Sequence, residues 1–336
     1  MTKLLIVLTG ALGDVVRGLE LAKIIKNSSN EIEITWLIED KWKDILNLSS
    51  FIDKRIVFHR KNGASGFITV LKELKSEKFD ICFDLQRNLK SGIFSLFSFA
   101  KKRVGFAKNN SKEFNFLFNN NFICYKEELS TNKLDHYKEF LNYLNIDKIN
   151  DLNKCSSLDK VEPLNINQEY LAIILSSSWE SKNIKNKTYF SIIERILNKS
   201  DLEIHLLGTF QDLELGDLIL EKFKDKRIKS LINKTDLSKL TSTLKFAKLA
   251  FGPDSGPAHI CSAVLTPYIS LFGPTSKIRT APINYINLSL NTNLSCAPCY
   301  KRKCPLKTNA CMDLINEDMV WNIFKKVLNN ESKTIN

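Results

Sequence analysis

The sequence predicts an α/β protein made of two doubly wound, Rossmann-like domains in tandem. Apolar strands alternate with amphipathic helices along the chain, an order that implies parallel sheets with helices on both faces. The chain has 336 residues, and single hydrophobic cores stop growing near roughly 250–300 residues. A polar, weakly patterned stretch at residues 145–167 separates two such series. We therefore place the domains at residues 1–160 and 161–336.

The first series begins with the apolar, β-branched residues 3–8, which are typical of a buried strand, and continues with helical periodicity at residues 15–26. Its other predicted strands are 32–38 and 79–84, and its other helices are 41–48, 66–76 and 89–99. In the second series the predicted strands are 171–175, 202–207, 229–231, 249–251 and 268–272. The predicted helices there are 188–198, 213–223, 237–246, 258–264 and 317–328, the last of which could pack back on the first domain.

Composition excludes several classes of protein. With 43% hydrophobic residues and 21 Phe, the chain can bury a large core and is not intrinsically disordered. Its apolar runs are much shorter than the ~20 residues that a spanning helix needs. Lys3 and the apolar residues after it are similar to the start of a signal peptide, but Gly10, Gly13 and Asp14 interrupt that stretch. We therefore expect a first core strand and a cytoplasmic protein.

The formal charge of +12 has three interpretations. Nucleic acid is one partner for a basic protein, and an anionic substrate or lipid surface is another. The third interpretation is a general richness in Lys without a specific partner. The basic residues are spread along the chain without an Arg-rich block, so we expect no nucleic acid partner.

The segment that joins the first strand to the first helix, residues 9–16, carries the first chemical signal. Gly10 and Gly13 permit a tight turn and close approach of a ligand to the backbone. The segment lacks both the third glycine of a dinucleotide fingerprint and the Gly-Lys-Ser/Thr of a P-loop, which argues against a dehydrogenase. Asp14 is either an acid that stabilises the helix start or a general base.

Two segments of the second domain suit phosphate and sugar diphosphate binding. Residues 176–182 follow the first strand of that domain, and their hydroxyls and Lys182 suit phosphate binding, although an ordinary polar loop has the same composition. Residues 254–259 follow another strand and open a helix, with Pro257 at its first position. Asp254 can accept from sugar hydroxyls while the helix start meets phosphate, and His259 can simply be packed. Because ligands bind at the carboxyl ends of parallel strands, these segments predict a ligand cleft.

Five segments in order along the chain resemble glycosyltransferase family 9, the ADP-heptose:lipopolysaccharide heptosyltransferases. They are Leu-Gly-Asp-Val-Val at 12–16, Asp-Leu-Gln at 84–86 with Lys-Ser at 90–91, Arg-Val-Gly-Phe at 103–106, Asp-Ser-Gly-Pro-Ala-His at 254–259 and Gly-Pro-Thr at 273–275. The resemblance implies a GT-B fold, in which the first domain binds the acceptor and the second the nucleotide sugar. It also implies inverting transfer of heptose from ADP-L-glycero-D-manno-heptose to the inner core of lipopolysaccharide, without a required cofactor.

The resemblance also assigns roles by position. Asp14 becomes the catalytic base. The donor-binding set is Ser177, Ser178, Lys182, Asp212, Asp254, Ser255, Gly256, Pro257 and His259, and the acceptor-side set is Gly13, Gln86, Lys90 and Arg103. The implied partners are ADP-heptose, an acceptor of the lipid A–Kdo type, and the cytoplasmic face of the inner membrane. Alternatives are another nucleotide sugar, a surface-glycan acceptor, or a nucleotide-sugar-binding protein without turnover.

A cysteine cluster near the C-terminal end carries a separate signal. Cys296, Cys299, Cys304 and Cys311 have the spacing C-x2-C-x4-C-x6-C among Lys and Arg residues. Four such thiols can hold a structural zinc ion or an iron–sulfur cluster. Redox-sensitive or disulfide-bonded cysteines and reduced free thiols are the alternatives. A site closed by four cysteines would be structural rather than catalytic.

Overall fold

The computed structural model describes residues 1–125, 130–147, 156–165 and 168–329. The chain divides into two compact units, Met1–Lys160 and Val161–Asn336. Much of the predicted connection, at residues 148–155 and 166–167, lies outside the described residues. None of the helices in the described ranges is both long enough and apolar enough to cross a membrane.

The first unit contains a parallel sheet of six strands. These are β1 (Thr2–Val7), β2 (Ile32–Glu39), β3 (Lys54–Phe58), β4 (Ile81–Asp84), β5 (Lys102–Phe106) and β6 (Asn121–Ile123). Its described α-helices are α1 (Leu12–Ser28), α2 (Lys43–Asn47), α3 (Gly63–Ser76), α4 (Leu89–Phe97) and α5 (Lys133–Lys138). The strand order is β3-β2-β1-β4-β5-β6, so the direction of winding reverses between β1 and β4.

The core of this unit forms because its strands are apolar on both faces. Leu4, Leu5, Ile6 and Val7 of β1 are all fully buried, as expected for a strand with helices on either side. Helix α1 lies close to the sheet at Gly18, where a Cβ atom would come within 2.6 Å of the Trp36 ring. A larger residue there would push the helix away from β2.

The second unit repeats the same architecture. Its strands are β7 (Tyr170–Ile174), β8 (Glu203–Leu207), β9 (Ile228–Ser230), β10 (Leu249–Pro253), β11 (Tyr268–Phe272) and β12 (Ser289–Asn291). Its described α-helices are α6 (Asn186–Lys199), α7 (Leu213–Phe223), α8 (Leu237–Lys245), α9 (Gly256–Ala263), α10 (Lys277–Thr280), α11 (Ala310–Asp313) and α12 (Glu317–Leu328). The parallel order β12-β11-β10-β7-β8-β9 reverses between β7 and β10.

The last helix belongs to the core of its own unit. Val320, Trp321, Phe324 and Val327 of α12 lie in the same buried cluster as the strands of the second unit. Its apolar face therefore packs within the second unit, and the expectation that this helix also packs back on the first domain stays a prediction.

Two doubly wound sheets confirm the predicted fold class, but several elements differ from prediction. The structure adds strands β3, β5, β6 and β12, which the sequence analysis did not identify. The helix predicted at residues 41–48 is a single 3₁₀ turn, Asp40–Trp42, followed by the short α2. The remaining predicted elements are present, with ends shifted by up to three residues.

Candidate active site

Each sheet has one switch point, and the predicted site residues concentrate there. In doubly wound sheets a crevice opens where the winding reverses, outside the carboxyl ends of the two central strands. In the first unit the loops at this point follow β1 and β4; Asp14 lies in the helix turn directly after the first loop, and Gln86 lies in the second loop. In the second unit they follow β7 and β10, and they carry Lys182 and Asp254.

Asp14 lies in the first turn of α1 and is held by two cations. Its Oδ1 is 2.6 Å from Nη1 of Arg17 and 2.9 Å from Nζ of Lys133. Its side chain is 22% exposed, so the carboxylate is accessible to a ligand. The phenol of Tyr137 is nearby, and its pKa is raised by burial and further by the Asp14 charge. A first-turn position suits the helix dipole and leaves the carboxylate available for proton transfer.

Gln86 joins the two loops at this switch point. Its Oε1 accepts hydrogen bonds from the backbone N–H groups of Thr9 and Gly10, at 2.9 and 3.2 Å. Behind it, the fully buried Asp84 accepts from the N–H groups of Gln86 and Arg87 and from the side-chain amide of Asn115. Gln86 therefore supports the loop that precedes Asp14.

The other acceptor-side residues have different positions. Gly13 shares the first turn of α1 with Asp14. Lys90 lies in the first turn of α4 with its Nζ 4.5 Å from the centre of the Phe58 ring, and burial followed by the Arg60 charge lowers its pKa. Arg103 lies near the amino end of β5, whereas the site loops follow the carboxyl ends of the strands. Its guanidinium donates to backbone carbonyls there. The structure thus does not bring Arg103 to the candidate site.

Lys182 and Asp254 form the centre of the second switch point. Nζ of Lys182 is 2.7 Å from Oδ2 of Asp254, and both side chains are largely buried, with 13% and 5% exposed. The same oxygen accepts from the hydroxyl of Thr275 at 2.7 Å and from that of Thr280 at 3.5 Å. Nζ of Lys182 is also 4.5 Å from the centre of the Trp179 ring. The loops after β7, β10 and β11 therefore meet at one carboxylate.

The remaining donor-side residues surround this ion pair in part. The Ser177 hydroxyl donates to the backbone carbonyl of Asp254 at 3.3 Å, whereas Ser178 is exposed. Ser255 is the N-cap of α9, followed by Gly256 and Pro257 in its first turn. This helix start presents backbone N–H groups beside Asp254, an arrangement that suits a phosphate. His259 is buried within α9, 5% exposed.

Asp212 has a structural role in the loop after β8, where it forms a capping box with Thr209. Its Oδ2 accepts from the backbone N–H of Thr209 at 2.6 Å and from the Thr209 hydroxyl at 3.1 Å, in a capping box. The residue is 5% exposed. These contacts account for an acid at this position, and its predicted contact with the ribose stays a prediction.

Sequence reasoning missed several residues that shape the two sites. Arg17 follows Asp14 by three residues, a spacing that places side chains on one helix face and gave a usable signal. Lys133 is 119 residues from Asp14 along the chain, and no local pattern links them. Ser181, which is buried, donates its hydroxyl to the carbonyl of Lys301 at 2.6 Å. Tyr300 donates its N–H to the carbonyl of Pro274 at 2.8 Å, so the cysteine-rich segment braces two donor-side loops.

The cysteines themselves are free thiols in the structure. Cys311 is buried and Cys296 is exposed, whereas Cys299 and Cys304 are intermediate. Four thiolates suit zinc chemically. Among the described residues, however, no group of three or more Cys, His, Asp or Glu side chains is arranged to hold a metal ion. The residues as placed do not form a ligand set, and the structural zinc stays a prediction.

Two Rossmann-type units in one chain, each with charged side chains at its switch point, are the arrangement of GT-B glycosyltransferases. The sequence profile described as "Glycosyltransferase family 9 (heptosyltransferase)" matches residues 68–310. The chain belongs to this family, and it is a glycosyltransferase.

Individual relatives agree with this placement. The lipopolysaccharide heptosyltransferase 1 of Campylobacter coli is 26% identical over 98% of this chain and 100% of its own length. A family 9 glycosyltransferase from Veillonella parvula has the same fold, with a TM-score of 0.81, 17% identity and 98% of each chain covered. The Escherichia coli heptosyltransferase WaaC, solved with ADP-2-deoxy-2-fluoro heptose, has a TM-score of 0.71 and 19% identity, covering 82% of this chain and 90% of WaaC.

Proposed function

We propose that this enzyme transfers L-glycero-D-manno-heptose from ADP-heptose to the inner core of lipopolysaccharide. The acceptor is a Kdo or heptose residue on lipid A, and the reaction inverts the configuration at the sugar carbon without a required cofactor. It takes place at the cytoplasmic face of the inner membrane, and nucleic acid has no part in it. Similarity to the lipopolysaccharide heptosyltransferase 1 of Campylobacter coli supports the acceptor class. Similarity to WaaC, which was solved with ADP-2-deoxy-2-fluoro heptose, supports the donor class.

One observation carries the proposal. Each switch point holds a charged group that suits one half of the reaction. The first unit presents the Asp14 carboxylate, fixed by Arg17 and Lys133. The second unit presents Lys182 and Asp254 beside the start of α9. A base and a diphosphate site are what an inverting sugar transfer needs.

In the proposed step, Asp14 accepts the proton of the acceptor hydroxyl. The acceptor oxygen forms a bond to C1 of the heptose while the bond between C1 and the β-phosphate oxygen breaks. The electron pair of that bond leaves with ADP. A positioned base contributes roughly 10²–10⁴-fold to such a step.

The second unit stabilises the leaving group. Negative charge develops on the β-phosphate as the bond breaks, and Lys182 and the N–H groups at the start of α9 offset it. Asp254 accepts hydrogen bonds from heptose hydroxyls, and Thr275 and Thr280 hold its carboxylate in place. This division explains why the cation lies beside an acid, since the diphosphate and the sugar are adjacent parts of one donor.

The test of the base is Asp14→Asn. We expect turnover to fall at least ~100-fold because the amide cannot take the proton, while binding of ADP is unchanged. Asp135→Asn is the matched control, because Asp135 is also a first-turn acid of the same unit with a nearby Lys partner. Turnover of Asp14→Asn close to that of the unmodified enzyme would refute the assignment.

The test of the donor is thermal unfolding with ADP-heptose, ADP, UDP-glucose and NAD. A ligand at ~100 times its Kd raises the free energy of unfolding by about 2.7 kcal/mol. We expect this effect with ADP-heptose and ADP but not with UDP-glucose or NAD. NMR of the product should show the opposite anomeric configuration to the donor. Stabilisation by UDP-glucose would favour another nucleotide sugar, and binding without any transfer would favour a protein without turnover.

A further inference from the structure

Exposed apolar side chains concentrate in one part of the first unit. Within the described residues, six large apolar side chains between positions 89 and 122 are 39–71% exposed. They are Leu89, Leu96, Phe99, Phe114, Leu117 and Phe122. We call the surface formed by residues 89–122 the Phe-Lys surface. Single exposed apolar residues are ordinary, but a concentration of this kind marks an interaction site.

The two stretches that carry these side chains are bound to each other. Helix α4 packs on the 3₁₀ helix Asn115–Phe118, and Gly92 allows the contact because a Cβ atom there would lie 2.8 Å from the Phe118 ring. Ser95 donates to the Asn119 side chain at 2.7 Å. The guanidinium of Arg103 donates to the carbonyls of Ala100 and Phe118, the residues next to Phe99 and Leu117. Arg103, which does not reach the candidate site, therefore holds this surface together.

The Phe-Lys surface is also strongly basic. Residues 89–122 contain six Lys and Arg but one acidic residue, a net charge of +5 in a chain whose total is +12. Lys101, Lys102, Lys108 and Lys112 are exposed and lie between exposed apolar residues along this segment. Protein–protein interfaces are enriched in aromatic residues but depleted in Lys. Exposed Phe and Leu together with Lys are instead typical of surfaces that enter the boundary of an anionic bilayer.

We propose that the Phe-Lys surface docks this enzyme on an anionic lipid bilayer, with the aromatic side chains in the interface and the lysines at lipid phosphates. This inference deepens the proposed function, since it names the surface by which the acceptor-binding unit reaches a lipid-linked acceptor. The lysines supply attraction over the Debye length, and the apolar side chains supply the contact that remains at higher salt.

Vesicle sedimentation of the full chain tests the proposal. Vesicles of phosphatidylcholine with phosphatidylglycerol are compared with phosphatidylcholine alone, without any acceptor. We expect binding to the anionic vesicles, at least tenfold stronger than to the neutral ones. Phe114→Ser/Leu117→Ser should weaken it about tenfold, because two exposed apolar contacts are lost. Phe210→Ser/Leu218→Ser is the matched control, with Phe210 exposed to the same 71% as Phe114, and it should bind like the unmodified enzyme.

Charge reversal gives an independent variant. Lys101→Glu/Lys102→Glu should weaken binding to the anionic vesicles at least ~tenfold, since each cation near such a surface contributes substantially. Thermal unfolding of both variants is the control that they are folded. Equal binding by the unmodified enzyme and the two surface variants would overturn the proposal. So would a dimer, seen by light scattering, that the apolar variant abolishes, because the occupant would then be a second copy.

Transfer to a deacylated, water-soluble acceptor separates this inference from the proposed function. The apolar surface variant should keep that transfer while it loses vesicle binding. If the unmodified enzyme binds anionic vesicles as expected but transfers nothing, the proposed function fails and the docking surface stands. If transfer is normal and vesicles are not bound, the docking surface fails alone.

Discussion

Replacing Gln86 by Leu should loosen the loop that precedes Asp14. The Gln86 Oε1 accepts from Thr9 N at 2.9 Å, from Gly10 N at 3.2 Å and from the Thr9 hydroxyl at 3.3 Å. Leu has a similar volume but no acceptor. The variant therefore leaves two backbone N–H groups of the loop without this partner.

The size of the effect follows from these contacts. An N–H group that loses its partner costs about 1–3 kcal/mol when buried, and these groups are partly buried. We take the lower end for each and expect a loss of about 2 kcal/mol in the free energy of unfolding. For a unit of this size that lowers the Tm by roughly 4–8 °C. Misplacement of a catalytic group by ~1 Å can lower a rate about 100-fold. We therefore expect kcat to fall by roughly 10- to 100-fold.

Calorimetry and steady-state kinetics check this prediction, with Gln86→Glu as the control. Glu keeps an acceptor oxygen at the same reach, so it should restore most of the lost stability. A Leu variant with unchanged Tm but a raised KM for the acceptor would refute the reasoning. That result would show that Gln86 contacts the acceptor, as the family resemblance implies, rather than supporting the loop.

Two further predictions concern the switch points. Lys182→Met should weaken ADP binding by roughly 10–100-fold, because a hydrogen bond to a charged group contributes about 1.5–3 kcal/mol; calorimetric titration measures it. Lys185→Met is the control, and an equal loss there would contradict the role of Lys182. Burial raises the pKa of Asp84 above its ordinary value of 3.8, so the folded protein binds that proton more tightly than the unfolded chain. The free energy of unfolding should therefore fall as pH rises from ~4 through the folded pKa. Urea unfolding of Asp84→Asn should lack this part of the decrease, and an unchanged pH dependence would contradict the prediction.

The sequence predicted the central strands well because their pattern is simple. Strands β1, β7 and β11 are short apolar runs buried on both faces, and their length and their β-branched or aromatic residues favour a strand over a buried helix. Outer strands are different. Strand β3 begins with Lys54 and Arg55, and β6 is three residues within an Asn-rich stretch. Such strands depend on pairing with a neighbour, and their own side chains give little period-two signal.

The candidate site could be predicted in part for a similar physical reason. Asp14, Lys182 and Asp254 follow predicted strands. They therefore lie at the carboxyl ends of parallel strands, where such sheets bind their ligands. Arg103 was misplaced because a motif match does not say at which end of a strand a residue lies. Thr275 also follows a predicted strand, but its contact with Asp254, like that of Lys133 with Asp14, is a tertiary contact that no spacing along the chain reveals.

The repeated topology of the two units also bears on how such enzymes diversify. Each switch point draws its groups from its own unit, and Asp14, Gln86, Lys182 and Asp254 are not among the apolar side chains that form the buried clusters. Substitutions around Gln86 can therefore accumulate without disturbing the pair formed by Lys182 and Asp254. A lineage can inherit one nucleotide-sugar unit unchanged while selection reshapes the other for a new glycan. In this respect the residues at the two switch points can change independently of each other during evolution.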